Sequence, residues 1–348
     1  MAQLPRPPNS ISLERVRRVI SRLAPRCRVI VDNRALVARG LAADDRFNLR
    51  CDRIGQFDQY VNEHRHVMLN RADFEESLIP PCRYFSVRGY CEVCRRRVNF
   101  QVDFSFAERT THKRPRPNWR ERLVCGHCRL PNRQRAMIDF LITHLSLDKN
   151  AQLYVAEKAT PFFRALSRIY PHTIGSEMLR DGTPFGATNR RGIRNENLTR
   201  LTFSDGSLDA VCLADILEHV PQYREALVEC YRCLRNGAAI IISVPFLLDA
   251  RETLVRARLD ENGGITHLLP PEYHGDPLDP KGVLCYYHFG WDLLDTLRTV
   301  GFGDAALYFY WSADRGYLGG AQFVIKGSKG ARPSEMQRLT AQHTKTKA

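Results

Sequence analysis

The chain has 348 residues, 43% of them hydrophobic, and a formal net charge of +14, which leaves room for two folded domains. Its longest apolar run, residues 238–248, is too short to span a bilayer and contains Pro245, and the N-terminal MAQLPRPPNS lacks a signal-peptide core. These features argue against a membrane span and set the expectation of a cytoplasmic protein whose eleven cysteines serve as metal ligands or small hydrophobes rather than disulfides.

Charge is unevenly placed. Residues 1–150 hold 29 Lys/Arg against 16 Asp/Glu, whereas residues 151–348 hold 23 against 22. Residues 1–81 read as a mixed helical region. Ile11, Val16, Val19, Ile20 and Leu23 fall near helical spacing, which predicts a surface helix, with an Arg-rich transit peptide as the alternative. Residues 82–136 form a Cys- and Arg-rich module. Between residues 80 and 136, 14 basic residues face 4 acidic ones, enough to attract phosphates on nucleic acid, nucleotide-sugars or lipid; a solvated face is the equal alternative.

Two CxxC knuckles lie in this module, Cys91/Cys94 and Cys125/Cys128. Four thiolates so arranged can surround a structural Zn²⁺ tetrahedrally and leave no open coordination position. His127, inside the second knuckle, is the poorer ligand. Cys230 and Cys233 repeat the spacing within an apolar-periodic helix and read as core. Cys27, Cys51, Cys82, Cys212 and Cys285 read as single structural residues. A connecting helix over Arg135–Leu145 and a linker, residues 137–150, follow.

From Ala151 the signals alternate between strand and helix. Strands are expected at Gln152–Ala156, His172–Glu177, Ala210–Leu213 and Ala239–Val244, with Leu198–Phe203 a loop or weak strand. Helices are expected at Pro161–Ile169, Arg224–Leu234 (stopped by Gly237) and Trp291–Val300 (ended by Gly301). Ala306–Trp311 and Ala321–Lys326 look like a closing antiparallel pair. Such alternation implies an α/β fold with a mostly parallel sheet covered on both faces. Residues 327–348 read as a polar mobile tail.

The stretch Asn197–Val220 carries a resemblance. Asn197, Leu201, Phe203, Asp209, Val211, Asp215, Leu217, Glu218, His219 and Val220 match the middle of the class I S-adenosylmethionine (SAM) dependent methyltransferases of the broad type 11 kind. Leu234-Arg235-Asn236-Gly237 is similar to that family's turn before the fifth strand, and Gly301-Phe302 to the end of its late helix. The resemblance covers residues 151–326 and implies a Rossmann-like methyltransferase fold, here preceded by a smaller mixed helical and zinc-ribbon-like domain.

One departure stands out. The family's first strand runs into a glycine-rich loop, but residues 153–161, LYVAEKATP, contain no glycine. Two readings stay open. In one, Thr160 caps the helix at Pro161, the helix N-terminus holds the cofactor carboxylate and Glu157 its amino group. In the other, the pocket has decayed and the domain is a binding or scaffold relic. On the first reading Glu177 accepts bonds from the ribose diol, Asn197 and the Leu198 backbone contact adenine, and Asp215 floors the pocket.

Residues 247–288 form a long insert expected to lid the site. His219 and His274 are the rival bases for removing an acceptor proton, each with a packing role as its alternative. His267, Tyr273 and Asp276 are candidate substrate contacts. The leading expectation is O-methylation of a sugar, glycan or secondary-metabolite hydroxyl, with a small-molecule or glycan acceptor as partner. Nucleic acid is the second choice, through RNA methylation aided by the basic zinc module. Oligomeric state is not legible.

Overall fold

Two sheets organise the chain in a computed structural model that describes residues 27–30, 36, 40–41, 45–107 and 115–330. The predicted helix at 11–23, residues 108–114 of the basic module and residues 331–348 of the tail lie outside the described residues. The first half contributes strands β1 (Cys27–Ile30) and β2 (Leu49–Cys51), helices α1 (Ile54–Glu63) and α2 (Arg65–Ser77), and strands β3 (Tyr84–Cys91) and β4 (Arg96–Asp103). It continues with α3 (Trp119–Arg122), β5 (Val124–Cys125) and α4 (Asn132–Asp139), which runs on as a π-turn over Phe140–His144. A small sheet of order β1-β3-β4-β5 results.

The second half is the α/β unit. Its elements are β6 (Leu153–Val155), α5 (Pro161–Ile169), β7 (Ile174–Glu177), β8 (Arg194–Asn195), β9 (Leu208–Ala214), a 3₁₀ turn (Leu217–His219), α6 (Tyr223–Cys233) and β10 (Leu234–Ser243). Three ribbons fill the insert: β11 (Leu254–Val255) with β16 (Tyr287–His288), β12 (Ala257–Leu259) with β13 (Ile265–His267), and β14 (Tyr273–His274) with β15 (Val283–Leu284). Helix α7 (Asp292–Val300) and strands β17 (Ala306–Ser312) and β18 (Tyr317–Ser328) close the unit.

The large sheet has the order β2-β17-β18-β10-β9-β6-β7-β8. The five strands from β10 to β8 are parallel, and β18, β17 and β2 add an antiparallel edge. Period-2 alternation explains its two covered faces. Val211 and Leu213 of β9 join the core with Leu227 of α6 and Leu294 of α7. Ala210 and Cys212 of the same strand face the opposite core with Met137 of α4 and Phe162 of α5. Cys230 and Cys233 are fully buried in the first of these cores, as packing residues.

Local chemistry fixes the element ends. Thr160 Oγ1 accepts the Phe163 N–H at 3.2 Å, and Pro161 opens α5 where no amide donor is missed. Gly301, at φ 125°, ends α7. Three differences from the sequence reading have physical causes. Residues 198–203 take the loop form of the two expected, and the strand beside β7 is instead the two-residue β8, held by β7 rather than by apolar burial. Helix α6 ends at Cys233, and Gly237 (φ 81°) instead sits in the irregularity of β10 between Leu234 and Ala239. Cys82 is disulfide-bonded rather than a lone thiol.

The halves interlock. Glu75 Oε1 of α2 accepts Trp311 Nε1–H at 2.8 Å and the Gly319 N–H at 2.7 Å, on β17 and β18. Arg135 of α4 is fully buried; its guanidinium donates to the carbonyls of Arg315 and Gly316 and stacks on the Phe100 ring at 4.1 Å.

Candidate cofactor and acceptor site

The glycine-free loop sits at the carboxyl end of β6. Its Lys158 and Ala159 N–H groups donate to Glu177 Oε1 at 2.7 and 2.8 Å, so one oxygen of that carboxylate anchors the loop. Burial raises Glu177 above the usual carboxylate range. The glycine needed for close approach is on the neighbouring strand. A Cβ on Gly175 would meet the Phe163 ring at 2.5 Å and the Glu157 carbonyl at 2.8 Å. Glu157 is only 6% exposed, its Oε1 has no hydrogen-bond partner, and burial pushes it up to about 7 although Arg133 pulls the other way.

Asp215 follows β9 with φ 56°. Arg120 grips it with both guanidinium nitrogens, at 3.1 and 2.9 Å; Arg133 Nε lies at 3.1 Å and the Ser243 hydroxyl donates at 2.7 Å. Burial opposes ionisation here, but the two guanidinium groups hold the carboxyl well below the usual range. Both arginines also engage Glu121. Arg133 Nη1 is buried with no acceptor. Neither arginine was legible as a site residue, because contacts across 95 and 82 positions leave no local pattern.

Asn197 Oδ1 accepts both the N–H and the hydroxyl of Thr199, at 3.0 and 2.9 Å. Leu198, next in the chain, is buried. His267 is exposed in β13 and Tyr273 is exposed in β14. Asp276 Oδ1 accepts the Leu278 N–H, and its charge contributes to the raised Glu177.

The structure brings His219 and His274 together, their ring centroids 4.8 Å apart. Glu218, a residue of the matched stretch to which the sequence assigned no role, lies between them: its Oε1 is 3.7 Å from His219 Nε2 and 3.5 Å from His274 Nδ1. Behind them Glu272 Oε1 accepts from His274 Nε2 at 3.0 Å and His288 Nε2 at 3.1 Å. Cys285 and Glu218 push the His274 imidazole up to about 11. The adjacent Glu218-His219 pair and the downstream His274 and His288 were the only sequence signal for this cluster.

The four knuckle thiols also converge. Cys91 and Cys128 Sγ atoms are 3.9 Å apart, Cys94 and Cys125 3.8 Å, and all four lie within 4.8 Å of one another. Bonds of about 2.3 Å to a central Zn²⁺ place tetrahedral sulfurs about 3.8 Å apart, so the donor set fits that ion. The surrounding basic block is partly neutralised from within. Arg97 pairs with Asp314, Arg116 with Glu76 and Arg122 with Asp103, while Arg83, Arg88, Arg95, Arg96 and Arg129 stay exposed.

Residues 155–242 match a family model described as a methyltransferase domain. The chain carries a class I SAM-dependent methyltransferase domain. The matched segment runs from β6 into β10 and spans Glu157, Glu177, Asn197, Asp215 and His219. The chain is also similar to a putative SAM-dependent methyltransferase from Listeria monocytogenes, at 12% identity over 57% of this chain and 99% of that one, with a TM-score of 0.37. A SAM-dependent methyltransferase from Mesorhizobium loti gives 13%, 55%, 97% and 0.34. One from Thermotoga maritima, described as a possible histamine N-methyltransferase, gives 17%, 55%, 87% and 0.32. No curated protein matches the chain. Among the described residues, no helix is long and apolar enough to cross a membrane.

Proposed function

We propose that this methyltransferase methylates a hydroxyl on a sugar, glycan or secondary metabolite, gripping the amino-acid end of SAM without glycine. The observation that carries the cofactor grip is a complementary pair of buried orphans. Glu157 Oε1 lacks a donor and Arg133 Nη1 lacks an acceptor, and the two side chains feel each other's charge. A zwitterionic amino acid satisfies both, its ammonium on Glu157 and its carboxylate on Arg133. The free oxygen of Glu177 faces the ribose diol, and Asn197 Nδ2 with the Leu198 N–H serves adenine. SAM supplies an activated methyl group on a sulfonium.

The acceptor hydroxyl docks at the Glu218–His219–His274 cluster, whose first two members lie three and four residues beyond Asp215 and whose third comes from a ribbon of the insert. Positioning and removal of one proton are what the protein contributes to in-line transfer. The Cys₄ set holds a structural Zn²⁺ that fixes the β3–β4 and β5 knuckles. The internal pairing of Arg97, Arg116, Arg120, Arg122 and Arg133 weighs against RNA as the acceptor, since these charges are already met.

Calorimetric titration with S-adenosylhomocysteine tests the grip. Wild-type protein binds, and Glu157→Gln and Arg133→Lys each weaken binding by about 10-fold or more. Folded wild-type protein that ignores millimolar ligand would overturn it. Radiolabelled methyl transfer from SAM into RNA but not into glycans or small hydroxyl compounds would overturn the acceptor assignment.

A further inference from the structure

Beyond the Cys₄ knuckles lies a second cluster with the donor chemistry of a metal centre. Glu218 and His219 occupy the 3₁₀ turn after β9, and His274 comes from β14 in the insert. One ligand atom from each of the three lies within 4.8 Å of the others. We propose that Glu218, His219 and His274 bind a divalent first-row transition cation, of which Zn²⁺ is the type, through one carboxylate oxygen and two imidazole nitrogens.

The hydrogen-bond roles support this. His219 Nδ1 lies 2.8 Å from the Leu284 carbonyl, which can only accept, so Nδ1 carries the proton and Nε2 is the atom turned to Glu218. His274 Nε2 faces the Glu272 carboxylate at 3.0 Å, so Nε2 donates and Nδ1 is turned to Glu218. With both rings neutral, two lone pairs aim at a carboxylate. Glu218 is fully buried, and neither of its oxygens has a hydrogen-bond partner. Three acceptors converging on one fully buried carboxylate need a cation.

The spacing fits a small ion. Metal–nitrogen and metal–oxygen bonds of about 2.0–2.2 Å separate neighbouring ligand atoms by about 3–3.5 Å. The observed 3.5 and 3.7 Å from Glu218 Oε1 lie within a few tenths of an ångström of that range. The outer contacts are those expected of metal-bound histidines, one imidazole N–H on a backbone carbonyl and the other on a carboxylate. The adjoining group of Glu272, Cys285 and His288 is also compact, but Glu272 already accepts from two histidines and lies 3.2 Å from Arg256. The Cys285 thiol donates to the Tyr287 carbonyl. That group is the orienting shell rather than a second centre.

Three protein ligands leave coordination open. At the acceptor, an open position would take the hydroxyl oxygen and ease loss of its proton, a role that rests on the hydroxyl-methylation reading. Binding of the metal does not rest on it. The rival occupant is a proton, which would make His274 an imidazolium between Glu218 and Glu272.

Full-length protein expressed in cobalt-supplemented minimal medium separates these. Two cobalt equivalents are expected, one showing sulfur-to-cobalt charge transfer from the Cys₄ set and one showing only the weaker bands of a nitrogen/oxygen set. His274→Ala and Glu218→Gln lose the second equivalent and keep the charge-transfer band, which also reports that the fold persists. Glu272→Gln, a milder change outside the ligand set, keeps the site but weakens Zn²⁺ and Co²⁺ binding about 10–100-fold. A wild-type protein without a nitrogen/oxygen cobalt equivalent, or a His274→Ala protein that retains it unchanged, overturns the proposal. No cofactor or acceptor enters this measurement, so its failure is distinct from failure of methyl transfer.

Discussion

Arg120, on a four-residue helix of the first half, forks onto both oxygens of Asp215 at the carboxyl end of β9, with contacts of 2.9 and 3.1 Å. The pair joins the four-cysteine module to the carboxyl end of β9 in the candidate site. Arg120→Ala leaves a largely buried carboxylate with Arg133 and Ser243 alone. It should cost about 2–4 kcal/mol in denaturant unfolding. Removing both partners (Arg120→Ala with Asp215→Asn) should cost less than the sum of the single changes, and strict additivity would show that the pair is not coupled.

Glu157 predicts an unusual pH dependence. Its folded value of about 7 stands above about 4.3 for an unfolded glutamate. Between those values the folded protein holds the extra proton. Its contribution to stability is therefore complete below about pH 4.3 and is lost as the pH rises through 7. Glu157→Gln should flatten that limb in unfolding curves taken from pH 5 to 8. Asp215 has the opposite sign. Its depressed value stabilises above about pH 3.9 and is lost as acid protonates the folded form, so Asp215→Asn should soften the acid limb.

Gly175→Ala tests how tightly the loop is seated. The added methyl would stand 2.5 Å from the Phe163 ring and 2.8 Å from the Glu157 carbonyl, and the second contact is backbone. A loss of about 1–3 kcal/mol is expected, together with weaker S-adenosylhomocysteine binding because Glu157 is displaced. Full affinity in the variant would show that Glu157 does not grip the cofactor.

Chelation addresses the knuckles. If the four thiols hold zinc, a strong chelator should open residues 84–130 to limited proteolysis while releasing metal, and Cys125→Ser should do the same without chelator. A folded protein that carries no metal on these thiols would assign the cluster to thiol packing alone.

Much of the α/β unit was legible because its signals are local. Thr160-Pro161 marks the start of α5, and the apolar run of residues 208–213 marks a strand buried on both faces. Strand β8 escaped because Arg194 and Asn195 carry no apolar signal and are strand only through β7. In the site, His219 and His274 were visible as titratable residues near a strand end. Glu218 was visible beside them, but a glutamate in a polar turn gives no sign that it will be fully buried. Arg120 and Arg133 were hidden differently. In sequence they belong to a basic block, and only folding turns them toward Asp215.

The bond pair on Glu75 has a wider consequence. One carboxylate on α2 satisfies donors on both strands of the β17–β18 hairpin, and β2 completes the sheet's outer edge beyond β17. A gene cut at residue 150 would strip those donors of their acceptor and lay open the edge of β17. Transplanting the second half alone into another protein would therefore carry a ragged border with it. As a unit of engineering, the two halves travel together.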